Sequence, residues 1–144
     1  MRTQSMGRVL TEATIESLQD LWDAKRGLLS PDKVRRVSVD DALVDTGATM
    51  LALPHKLIEQ LGLNKMYTRR VRSSTGGVKA GVYESVRLTI QGRYCNMDVM
   101  EVPDDVPVLI GQMPLEQLDF VVDPQSGTLI GNPAHGGEHV LELY

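Results

Sequence analysis

The chain has 144 residues, 42% hydrophobic but only 4% aromatic, a length that fits one ordinary domain whose core is built from Val, Leu, Ile, Met and Ala. A formal net charge of −4 argues against a nucleic-acid partner, which calls for a basic face, and the lone Cys95 excludes an internal disulfide or a cysteine-rich zinc site. No apolar run approaches the ~18–20 residues of a membrane span, and no signal-peptide stretch opens the chain, so a cytoplasmic protein with no membrane partner is expected.

Val9, Thr11, Ala13 and Ile15 alternate with more polar neighbours and predict a strand over residues 7–16. Leu18, Leu21 and Trp22 follow in a short helix or loop, and residues 27–33, with Pro31, form a connector. β character returns over residues 34–44 and ends in Ala42-Leu43-Val44. After Asp45-Thr46-Gly47 a second short apolar strand covers residues 50–53. Pro54 opens a helix that Gly62 stops, with Leu57, Ile58 and Leu61 on one face. Residues 68–86 read as a hairpin with Gly76-Gly77 at or near its tip. Val86, Leu88 and Ile90 alternate into a turn at Gly92, and Cys95, Met97 and Val99 continue the antiparallel pattern. Residues 106–110 are an apolar run closed by Gly111, and residues 114–118 make one or two helical turns. Phe120-Val121-Val122 and Thr128-Leu129-Ile130 flank a last hairpin turn. From Asn132 the tail is rich in Gly, Pro and His, and residues 140–143 are a candidate strand. The sum is a mainly β, barrel-like single domain over residues 1–144. Its parts are an N-terminal strand and connector (1–36), a core (37–131) and a tail (132–144).

Asp45-Thr46-Gly47 taken alone reads as an Asx-type turn, since Asp and Gly both suit turns. The apolar strand before it predicts a carboxylate delivered into a buried position, which is costly unless something pairs with it. Two other groups draw notice. His135 and His139 have the i, i+4 spacing of a metal pair, but Gly136-Gly137 between them oppose a helix, so no metal site and no cofactor are expected. Arg69, Arg70 and Arg72 read as a solvated hairpin face, with selection of acidic substrates as a second reading.

Residues 42–48, Ala-Leu-Val-Asp-Thr-Gly-Ala, resemble the catalytic segment of the retropepsin-like aspartic proteases. Val108-Leu109-Ile110-Gly111 stands where that family carries an apolar-apolar-Gly segment after its flap hairpin, and a short helix follows, here Pro114 to Leu118. The resemblance runs in order from about Val37 to Ile130 and is closest to the bacterial single-domain branch. It implies a closed, barrel-like retropepsin fold with one or two short helices, assembled as a homodimer. Asp45, Thr46 and Gly47 would be catalytic, and Ala48, Ser74, Thr75, Gly76, Gly77 and Ile110 would bind a peptide or protein substrate. Thr46 would hydrogen-bond across the pair.

The chemistry of that family needs two carboxyl groups sharing one proton. The chain has a single Asp-Thr-Gly, so two copies must meet at a two-fold axis to supply the second. Viral members pair an Asp and an Arg near the interface; here those positions are Thr49 and Gln112, which leaves a neutral hydrogen bond between them open. The polar flap, Arg72 to Val78, suits an alternative: a non-catalytic homodimer that binds peptides or serves assembly.

Overall fold

A computed structural model describes residues 8–73 and 76–143. Strand β1 (Val9–Ser17) buries Ala13, Ile15 and Ser17 on one face and runs straight into helix α1 (Leu18–Lys25). The helix forms because Ser17 caps it, its hydroxyl accepting from the Asp20 amide at 3.2 Å. Asp20 in the first turn and Lys25 in the last complement the helix dipole. Asp20 is itself buried and holds the far end of the connector, accepting from the Arg35 amide at 3.0 Å and from its guanidinium at 2.8 and 2.9 Å. Strand β2 (Arg36–Val44) therefore begins two residues later than the sequence suggests, after a 3-10 turn at Pro31–Lys33 and the buried Val34.

Beyond Asp45 come β3 (Leu51–Pro54), α2 (His55–Gln60), β4 (Lys65–Ser73), β5 (Gly76–Ile90) and β6 (Arg93–Val102). These are followed by β7 (Leu109–Ile110), α3 (Gln112–Leu118) and the hairpin of β8 (Phe120–Asp123) and β9 (Thr128–Gly131). The strands lie in the order β1-β2-β7-β3-β6-β5-β4, and β1 also pairs with β5 from Thr14↔Thr89 to Ser17↔Val86. That extra pairing closes six strands into a ring, which removes their free edges. Of the seven strands in this sheet, β4 lies outside the ring, paired among the described residues to β5 in a long hairpin, and β8 with β9 forms a separate two-stranded sheet. Inside the ring, Ile15, Leu51, Leu53, Leu88, Val99 and Ile110 are fully buried, with Ile58 and Leu118 added by α2 and α3.

The expected mainly β architecture is present, with two corrections. Of the apolar run over 106–110 only the two residues of β7 enter the sheet, because the Val106 amide closes a turn onto the Pro103 carbonyl at 3.0 Å and Pro107 offers no amide to a ladder. The hairpin strands are longer than expected, since β5 continues unbroken from the hairpin end into the ring. Residues 140–143 form no strand. The tail instead makes a 3-10 turn at Pro133–His135 and is tied to the body by polar contacts, with Leu141 and Leu143 exposed.

Candidate active site

Strand β7 lies between the segments that enter and leave the Asp45 turn. It pairs in parallel with β2, Val44 facing Ile110, and antiparallel with β3, Leu51 facing the same Ile110. The Asp45 amide donates to the Ile110 carbonyl at 3.0 Å, and the Leu43 amide donates to that of Val108 at 2.8 Å. Asp45 thus sits one residue past the end of a pinned strand, on a turn closed by the Ala48 amide donating to its carbonyl at 3.0 Å.

Asp45 is half-buried in the single chain, not buried as the preceding apolar strand suggested. One carboxylate oxygen accepts the Gly47 amide at 3.0 Å, which is the Asx-type contact. The other has no hydrogen-bond partner among the described residues. Gly47 matters sterically as well, since a Cβ there would lie 3.3 Å from the bonded Asp45 oxygen. Thr46 and Gly47 are exposed and Ala48 half-buried. Ile110 has no exposed surface and meets the turn from beneath through its carbonyl.

The turn is buttressed by the N-terminus of α3. The amides of Gly111, Gln112 and Met113 donate to the carbonyls of Met50, Ala48 and Thr49 at 3.1, 2.8 and 2.9 Å. These are amides that a helix start leaves without intrahelical partners, so both segments satisfy each other. Gly111 is required by this closeness, for a Cβ there would collide with the Met50 carbonyl and lie 2.8 Å from that of Ala48. Thr49 and Gln112 are coupled to each other's neighbours through this backbone lattice. The Gln112 side chain turns instead to Glu116 at 3.2 Å.

The hairpin of β4 and β5 pairs Arg72 with Gly77 and Ser73 with Gly76. Gly76 has φ +119°, a region that L side chains rarely adopt, and both glycines are exposed. Ser74 and Thr75 lie outside the described residues. Arg69, Arg70 and Arg72 are exposed along β4.

Two polar clusters were not legible in the sequence. At the start of α2, His55 Nδ1 meets Glu101, and its Nε2 lies 3.4 Å from Glu59; the bond to Glu101 holds the imidazole's pKa above its ordinary range. Asp119 ends α3 in a left-handed conformation and is buried. It accepts from His135 at 2.7 Å and from the Val140 amide at 3.1 Å, and Asn132 adds a longer contact. His135 also reaches Glu142 at 2.9 Å, and His139 lies 2.8 Å from the Gln117 carbonyl, so the two histidines fasten the tail. Leu118-Asp119-Phe120, a carboxylate between two apolar residues just after a helix, was the one available signal. No cluster of three or more His, Cys, Asp or Glu suited to a metal occurs among the described residues.

No helix among the described residues is long and apolar enough to cross a membrane. A family model described as aspartyl protease matches residues 33–132, which takes in the Asp45 turn, the β4–β5 hairpin, Gly111 and α3. No curated protein matches the chain.

Proposed function

The chain belongs to the aspartyl protease family, and from that premise we propose that it is an endopeptidase whose active site forms at a homodimer two-fold axis, one Asp45 coming from each copy. The observation that carries this reading is the state of Asp45. One oxygen is held by the Gly47 amide, the other is unpartnered among the described residues, and the supporting turn is locked onto α3. It has the properties of half a dyad on a rigid mount. The chain carries no second Asp-Thr-Gly to complete it.

With two such carboxyls about 3 Å apart, both cannot ionise, and the pair shares one proton; aspartic proteases are the standard instance of this behaviour. The ionised member takes a proton from water as the oxygen attacks the peptide carbonyl carbon. The protonated member gives its proton to the carbonyl oxygen. The resulting diol collapses with proton transfer to the leaving amine, and no covalent enzyme intermediate forms. Thr46 fixes the pair by hydrogen bonding across the axis, and Ala48 borders the substrate. Ser74, Thr75, Gly76 and Gly77 cover the substrate, their backbone groups meeting an extended peptide as an added strand would. Ile110 supports the turn from below. Cys95, a free thiol, suits a reducing compartment such as the cytoplasm.

The test is Asp45→Asn in the full chain. Cleavage of a peptide library at mildly acid pH disappears while sedimentation still reports a dimer. Undiminished cleavage by the variant, or a strictly monomeric wild type, overturns the reading.

A further inference from the structure

Charge is segregated along this chain. Residues 65–83, the span of the hairpin, carry Lys65, Arg69, Arg70, Arg72 and Lys79 and no Asp or Glu. The rest of the chain holds all 19 acidic residues against ten Lys and Arg. Outside the hairpin, Arg35 pairs with Asp20 and Arg36 with Glu16. Arg69, Arg70, Arg72 and Lys79 are exposed and make no ion pair among the described residues.

Register sharpens the point. Arg70 lies directly opposite Lys79, and like charges facing each other across an antiparallel pair destabilise it. Strand alternation puts Arg70, Arg72 and Lys79 on one face and Arg69 on the other, with Val71, Val78 and Ala80. Protection of a free strand edge needs only a charge or two; here the hairpin is cationic on both faces. Among the described residues the outer edge of β4 pairs with no other strand, so an extended chain has backbone groups to meet beside these side chains.

We propose that the hairpin selects acidic polypeptide substrates, with Asp or Glu side chains flanking the scissile bond held by Arg70, Arg72 and Lys79. This rests on the endopeptidase reading, and it names the substrate class of that site. The field of the hairpin also steers acidic chains toward the site and away from the negatively charged remainder of the surface.

The experiment uses the full chain carrying Asp45→Asn, so that peptides are not consumed, and measures fluorescence anisotropy of two labelled peptides of equal length. One has Glu on both sides of an apolar centre and the other has Gln at the same positions. The Glu peptide binds about tenfold tighter or more at low salt, and the gap closes at about 0.5 M salt. Changing Arg70, Arg72 and Lys79 together to Gln abolishes the difference. Arg70→Lys with Arg72→Lys keeps the preference, which a merely structural role of the guanidinium groups would not predict. Equal affinity for the two peptides, or a preference that survives the triple change, overturns the proposal. So does a single-stranded oligonucleotide of matched charge that binds tighter through the same residues. Wild-type chain that cleaves neither peptide, with the binding preference intact, sinks the endopeptidase reading and leaves acid selection standing. Cleavage of both peptides with no preference in binding does the reverse.

Discussion

The amide of Gly111 donates to the carbonyl of Met50 at 3.1 Å, and the two backbones are so close that no side chain fits between them. The φ of Gly111 is −85°, so the glycine is needed for space and not for conformation. A Cβ would also lie 2.7 Å from the Thr49 carbonyl carbon, and backbone atoms cannot swing aside as a side chain can. Gly111→Ala is therefore expected to destabilise the chain by about 1–3 kcal/mol or more, read as a lowered midpoint in urea. Because the Asp45 turn is mounted on this contact, peptide cleavage falls further than the loss of folded protein explains.

Asp20 and Arg35 fasten the α1 connector to the ring. The hydrogen bond from Arg35 holds the Asp20 carboxyl below its ordinary 3.8 against the opposing effect of burial. A lowered folded pKa means this contribution is present above 3.8 and is lost as pH falls through the folded value. Half of the Arg35 side chain is in solvent, so the ion pair is screened. Asp20→Asn should cost about 1–2 kcal/mol near neutral pH and little at strongly acid pH, measured by denaturant titration at each.

The tail is fastened by His135 between Asp119 and Glu142. Glu142 first, then Asp119, raise the imidazole above its ordinary 6.5, and His135 lowers Asp119 below 3.8. The histidine's contribution is complete below 6.5 and is lost as pH rises through its raised value. The carboxylate's is present above 3.8 and is lost as pH falls through its lowered value. The fastening is strongest between those limits. Arg93 adds contacts to the same region, donating to the Leu118 and Asp119 carbonyls at 2.9 Å and to that of Gly137. Limited proteolysis within residues 138–143 should accelerate from about pH 6 to about pH 9, and His135→Gln should make it fast at both. Equal rates for wild type across that range would contradict the assignment.

Burial pushes the Cys95 thiol up to about 11. A disulfide reagent at about pH 8 should label the native chain slowly and the denatured chain at once. Since the thiol stays protonated in the folded state, stability declines as pH rises past its ordinary 9.0, where the unfolded chain gains a thiolate.

Much of the molecule could be read from local pattern. Alternation in Val9 to Ile15 and in Val86 to Ile90 marked strands, Pro54 and Gly62 bracketed α2, and Gly76-Gly77 located the hairpin end. Each signal depends on residues within one element, where the 2.0 and 3.6 periods operate. Misreadings arose where distant partners decide. Residues 140–143 have strand-like composition but are held by Asp119 and His135, which removes them from any ladder. How much of the apolar run 106–110 enters the sheet was likewise left open by composition, and the pairing of two residues between β2 and β3 decides it.

By itself the sequence determined that Asp45-Thr46-Gly47 occurs once, follows an apolar strand, and precedes a hairpin and an apolar-Gly segment in a fixed order. Those are properties of residue type and spacing, and they carry the expectation of a shared site. Tertiary structure alone decided how Asp45 is presented. Its half-exposure, the free carboxylate oxygen and the lattice joining residues 48–50 to 111–113 depend on chain segments some 60 residues apart. Gly111 shows the division best, because a glycine can be read as a stop from sequence, while the Met50 carbonyl that forbids anything larger appears only when the chain folds.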